Sequence, residues 1–147
     1  MTMEIRGKEP TTWRGTRFRR NIFGWGELAR YSIIVAPDIC APIRCWLDDS
    51  LHEGLDAAGA VALADALQTE IDAGRTAAYA VRVHPEDPTQ YGWRHRFKAK
   101  APTNLRALKA LDELFGFPPP PGSPHPFVEN VAAFVDFLRE SGGFEIW

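Results

Sequence analysis

The chain has 147 residues, 45% of them hydrophobic and 24% charged, with a formal net charge of −2. That balance excludes disorder along the whole length and argues against a dedicated nucleic-acid binder, which normally carries a basic excess. One domain of this size buries roughly 70% of the surface its unfolded chain exposes, so a core can form without disulfides, and no apolar run is long enough to cross a bilayer.

Residues 1–20 are polar and hold Arg14, Arg17, Arg19 and Arg20. They read as a basic N-terminal arm that becomes ordered near Trp13 or Phe18. Residues 21–147 read as a single globular domain. The first ten residues lack an apolar signal-peptide core, so the expected location is cytoplasmic. From Trp25 onward, Trp25, Leu28, Ser32 and Val35 share one helical face, with Tyr31 and Ile34 beside it. Pro37 ends that helix. Asp38 to Ser50 has no clean period and reads as irregular, with a short strand at Ile43–Leu47.

The next helix is marked more sharply. Asp56 suits an N-cap, Leu63, Leu67 and Ile71 form an i, i+4, i+8 stripe, and Gly74 suits the C′ position. Beyond it, Ala78–Val83 alternates, placing Tyr79, Val81 and Val83 on one strand face. Arg94–Lys100 alternates again, with Arg94, Arg96, Lys98 and Lys100 opposite His95, Phe97 and Ala99. The Pro-, Asp- and Gly-rich stretch between them suits a hairpin loop. A helix over 76–84 is the other reading, because alanine favours it.

Thr103 or Asn104 is a cap for a helix carrying Leu105, Leu108, Leu111 and Phe115, with Gly116 as its stop. FPPPPGSPHP (117–126) is an extended surface connector. The last helix begins near Val128 and buries Val131, Phe134, Val135 and Leu138. Phe127 sits at or just before its cap, as a hydrophobic staple would. Gly142-Gly143 stops it, and Phe144–Trp147 adds a third strand. The fold class is α+β, with about four helices and a small antiparallel sheet of two or three strands.

Chemistry-bearing clusters are sparse. Cys40 and Cys45 are spaced wider than usual zinc pairs, and His52 with Asp48, Asp49 and Glu53 is the nearest further ligand set. Two small buried thiols are the simpler reading, so no metal or cofactor is assigned. Asp49, His52 and Glu53 could serve acid–base chemistry in a small hydrolase or metal-dependent enzyme. They fit neither an EF-hand nor an HExxH pattern, and a solvated loop before a capped helix explains them. No residue is assigned a catalytic role.

Charge is unevenly spread. Seven acidic residues and no Lys or Arg lie between Asp48 and Asp72, whereas six basic residues and no acid lie between Arg94 and Lys109. Arg94, Arg96, Lys98, Lys100, Trp93, Arg17, Arg19 and Arg20 are therefore the candidate interaction residues, able to grip a phosphate backbone. A solvated, aggregation-resistant edge strand accounts for the same pattern. Trp13, Trp25, Trp46, Trp93 and Trp147 are too many for the centre of so small a core, so some are expected at an interface or at its edge.

Two stretches carry a resemblance. One is Gly54-Leu55-Asp56-Ala57 with Leu63-Ala64-Asp65-Ala66-Leu67 and Ile71–Ala77. The other is Phe127-Val128-Glu129-Asn130-Val131, Phe134 and Phe137–Ile146. Together, over roughly a third of the chain, they resemble a group of small bacterial and phage proteins. The skew to arginine, 13 Arg against 4 Lys, agrees with a GC-rich bacterial or phage source. The resemblance implies a fold and no activity. The zinc-ribbon-like cysteine pairs associated with that group would fall between the two motifs, where this chain has no cysteine. The expected function is that of a non-enzymatic accessory protein, acting through a protein partner or as a homodimer. A nucleic-acid-associated protein is the alternative.

Overall fold

A computed structural model describes residues 2–83 and 125–147, and all structural statements concern these. Its strands are β1 (Thr2–Gly7), β2 (Arg17–Asn21), β3 (Gly54–Leu55) and β4 (Phe144–Ile146). The helices are α1 (Ile22–Val35), the short α2 (Pro37–Cys40), α3 (Ala57–Asp72), α4 (Arg75–Val83) and α5 (Pro126–Glu140). The fold is α+β, as expected, but the sheet has four strands rather than two or three, in the order β2-β1-β4-β3, each neighbour antiparallel. No helix of the described residues is long and apolar enough to cross a membrane.

Of the three strands not expected, β1, β2 and β3, the first two come from the segment expected to be an arm. Met3 and Ile5 alternate with Thr2, Glu4 and Arg6, a period of two that a polar reading of the first twenty residues overlooked. Ile5 pairs with Phe18 on one side and with Ile146 on the other. Met3, Ile5 and Ile146 are fully buried, and Phe18 nearly so. Residues 2–7 and 17–21 therefore belong to the sheet. Phe144–Ile146 does join it, as expected, but centrally.

Several local readings match the structure. The Asp56 carboxylate accepts the Gly59 N–H at 2.7 Å as the α3 N-cap, and Leu63 and Leu67 are fully buried. Gly74 stands just past the α3 C-cap with φ of 75°. Gly142 and Gly143 have φ of 64° and 93°, in the region where a Cβ is strained. That turn reverses the chain from α5 into β4. The 8–11 loop is stitched across it, with Lys8 N–H donating to Gly143 and Glu9 N–H to Ser141.

Other readings are corrected. Residues 75–83 form helix α4, not a strand, so the helical alternative holds. Thr76, Tyr79 and Ala80 are its buried residues, while Val81 and Val83 face solvent. Tyr79 stacks near Tyr31 and Phe127, with ring centroids 4.6 and 5.5 Å away, which fixes the 3.6-residue period over the two-residue one. Ile43–Leu47 forms turns rather than a strand. The Glu53 carboxylate takes the N–H groups of Arg44 and Cys45, two donors a strand would need for pairing. Helix α5 starts two residues early, at Pro126, with His125 Nδ1 accepting the Phe127 N–H. Phe127 is thus inside the first turn, fully buried, rather than outside the cap. The expected elements at 94–100 and 103–115, and the connector up to residue 124, lie outside the described residues.

Below the sheet, Phe18, Trp25, Phe134, Phe137 and Phe144 form an aromatic centre with neighbouring ring centroids 5.2–6.5 Å apart. Aromatic edges and faces pack favourably at such separations. Trp25 carries this centre into α1 and so determines which side of that helix faces outward.

Candidate functional site

Helix α1 is apolar on both sides. Inward it buries Trp25, Leu28, Ala29, Tyr31 and Ser32. Outward, Phe23 is 62% exposed, Ile34 57% and Ile33 42%. Ile34 was expected beside the inner face and lies outside it. Phe23, Glu27, Arg30 and Ile34 follow i, i+4, i+7, i+11 spacing, which places them along one stripe of the helix.

This stripe forms the floor of a groove of about 990 Å³. One wall is the loop carrying Ile43, Arg44, Cys45, Trp46 and Leu47, and the other is the first turn of α5 at Pro126, Glu129 and Asn130. Both walls are braced. Trp25 Nε1 donates to the Trp46 carbonyl at 2.6 Å, and the two indoles lie 5.6 Å apart. Glu53 holds the loop from behind through Arg44 and Cys45, and the Arg44 hydrogen bond keeps its carboxyl below the usual range. On the other wall, Asn130 accepts from Arg20 Nε at 2.6 Å and donates to the Gly24 carbonyl. Asn21 caps α1 by accepting the Gly24 N–H at 2.9 Å. The groove is therefore built from fixed parts, and its lining mixes apolar side chains with the charged Glu27 and Arg30.

The outer face of the sheet is the second surface. Register places Arg6, Arg17, Arg19, Glu4 and Glu145 together. Glu4 lies 2.6 Å from Arg6, 3.7 Å from Arg17 and 3.6 Å from Arg19. The Arg6 hydrogen bond, reinforced by the other guanidinium charges, lowers its pKa. Arg6 also lies 4.2 Å from the Trp147 ring centre, whose ring has His52 at 4.1 Å. Trp13, 80% exposed, lines a smaller cleft of about 600 Å³ with Glu4, Arg6, Thr16 and Arg17.

The expected interaction residues thus separate. Arg17 and Arg19 share the outer sheet face. Arg20 does not join them: its guanidinium lies 4.0 Å from the Phe18 ring centre and its Nε is bonded to Asn130. Trp93, Arg94, Arg96, Lys98 and Lys100 lie outside the described residues. Asp49, His52 and Glu53 have different surroundings, with Asp49 exposed, His52 against Trp147 and Glu53 bonded to the 44–45 backbone. Cys40 is buried, donates to the Ser32 carbonyl and has its pKa pushed up to about 11 by desolvation. Cys45 is exposed, so only one of the two thiols fits the buried reading. Among the described residues, no cluster of three or more His, Cys, Asp or Glu side chains is placed to hold a metal ion.

The α1 groove was missed in the sequence. Its signal was the excess of apolar residues between Ile22 and Val35, more than one helical face can bury. Both resembling stretches fall on β3, α3, α4, α5 and β4, and only Glu129 and Asn130 among them reach the groove. Comparison of the chain with protein-family models, curated proteins and solved structures finds no match.

Proposed function

We propose that this chain is a non-enzymatic interaction protein whose docking surface is the groove along α1. One observation carries the reading: Phe23, Ile33, Ile34 and Leu47 together present large apolar surfaces to solvent within one braced groove. Contiguous apolar patches of this kind mark interaction sites, and apolar centres with charged rims are the usual anatomy of protein interfaces. Arg20, Glu27, Arg30, Arg44 and Glu129 are the charged residues that line the groove beside them. The bacterial or phage accessory role suggested by the resemblance agrees with it.

The test is site-specific photo-crosslinking in cells expressing the full chain. A photoreactive residue at position 23 or 34 is expected to give a discrete protein adduct. The same residue at Val61, also exposed but on α3, is expected to give none. Absence of adducts at 23 and 34, or equal adducts at all three positions, contradicts the reading.

A second reading, binding of single-stranded nucleic acid on the outer sheet face, is favoured by the grouping of Arg6, Arg17 and Arg19 with Trp13 and Trp147. Guanidinium groups bind phosphates and indoles stack on bases. Its signature is affinity that falls steeply with salt and is lost in Arg17→Ala/Arg19→Ala. A flat salt response, or no mobility shift with any oligonucleotide, removes it.

A further inference from the structure

Strand β2 is an outer strand of the sheet, with β1 on one side only. Its pairing tells which way its backbone groups point. Glu4 exchanges both backbone hydrogen bonds with Trp147, and Gly7 N–H donates to the Thr16 carbonyl. Backbone groups alternate in direction along a strand, so Glu4 and Arg6 turn theirs toward β4 and away from β2. Arg19 and Arg17, which stand across from Glu4 and Arg6, therefore direct their N–H and C=O groups away from the sheet. Neither N–H has a hydrogen-bond partner among the described residues, while the Arg19 carbonyl accepts from Arg20 Nη1. Both side chains rise from the outer face and are more than half exposed, 55% and 54%. Among the described residues their ion-pair partner is Glu4 alone, which Arg6 already engages at 2.6 Å. Glu145 stands on β4, two strands in from this edge.

We infer that β2 is a docking edge for an extended acidic peptide of a partner protein, which joins the sheet as a further strand. An unpaired edge is a template for another strand, and backbone pairing of this kind is a general mode of peptide recognition. Arg17 and Arg19 present their outward groups two residues apart, the spacing at which an added strand turns its own toward one neighbour. The added residues across from them share the outer face with the guanidinium groups. Acidic residues at alternate positions meet Arg17 and Arg19 there, and opposite charges across a strand pair are favourable. The same rule disfavours a second copy, since an antiparallel β2–β2 pair sets Arg19 across from Arg19 or Arg17. Nucleic acid reaches the arginines but has no strand of amides to pair with the edge. Neither arginine lines the α1 groove, so this surface is additional to it.

Fluorescence anisotropy with the full chain and short labelled peptides tests this. A peptide alternating glutamate with valine is expected to bind, and one alternating lysine with valine is not. In the bound peptide the glutamate amides face β2 and the valine amides face away. N-methylation of the glutamate nitrogens is therefore expected to raise Kd at least about ten-fold, and N-methylation of the valine nitrogens to leave it within about two-fold. Amide hydrogen exchange at Arg17 and Arg19 is expected to slow in the complex, while Phe18, already paired with β1, keeps its rate. Arg17→Ala/Arg19→Ala is expected to lose binding with far-UV circular dichroism unchanged. Where that variant does not fold, the methylated peptides carry the test. Equal loss from both methylations, or loss from neither, shows contact without strand pairing and overturns the inference. No binding of the glutamate peptide overturns it as well, and binding of an oligothymidine in its place assigns the face to nucleic acid.

Discussion

Helices α1 and α5 both cross the same aromatic centre, but they treat water differently. Helix α5 buries Phe127, Val131, Phe134, Val135, Phe137 and Leu138, and turns Glu129, Asp136 and Arg139 outward. Arg139 reaches Asp65 on α3 at 2.8 Å, an exposed pair of the kind that contributes little stability. Helix α1 buries its own apolar set and then repeats apolar residues on the outside. An amphipathic helix such as α5 is complete once folded. Helix α1 leaves Phe23, Ile33 and Ile34 exposed beside its charged residues, and covering them would remove further apolar surface from water. The contrast is the physical case for a partner at α1.

The largest effect expected concerns β4, whose Phe144 packs against Phe134 and Phe137 of α5. Truncation after Ser141 removes β4 from between β1 and β3, together with the fully buried Phe144 and Ile146. Those two side chains alone contribute about 3–6 kcal/mol. That loss approaches the whole stability of a small domain. A melting transition unchanged by the truncation would show that β4 does not anchor the sheet.

Next come two aromatic residues two positions apart. Trp25→Ala is expected to cost about 3–5 kcal/mol in chemical denaturation. Phe23→Ala is expected to change monomer stability by less than about 0.5 kcal/mol. Equal losses would erase the distinction between the sides of α1. Smaller again is Asp56→Ala, which removes the α3 cap and is expected to cost about 1 kcal/mol.

Alkaline titration sharpens the inner side further. Burial holds the Cys40 thiol neutral up to about pH 11 in the folded protein, against 9.0 for an ordinary thiol. The unfolded chain loses this proton first, so the thiol's contribution to stability is complete below pH 9 and declines as pH rises toward 11. Tyr31 and Tyr79, both raised by burial, act in the same direction. Cys40→Ala is expected to lessen the alkaline loss, measured as midpoint against pH from 8 to 11. An identical slope in the variant contradicts the assignment. The smallest effect belongs to Asp136→Ala on the outer side of α5, expected to alter neither stability nor association.

What could be read from the sequence follows the same division. The α3 cap, its leucine stripe, Gly74, the α5 stripe and the double glycine are local signals, and the structure carries them where expected. The β1–β2 hairpin was obscured because arginines dominate its composition, while only Met3, Ile5 and Phe18 mark its buried face. Alternation over 78–83 competed with helical spacing, and the tertiary contact of Tyr79 with Tyr31 and Phe127 settled it. The candidate groove depends on which side of α1 meets the core. Trp25 decides that through contacts with Trp46 and Phe134, which are distant in sequence. Composition could count the surplus apolar residues on α1 but could not show where they would gather.

The most direct test is photo-crosslinking from position 34 of the full chain, with and without Phe23→Glu. The account predicts a discrete protein adduct that Phe23→Glu abolishes. An adduct of equal yield in that variant, or none in either chain, would contradict it.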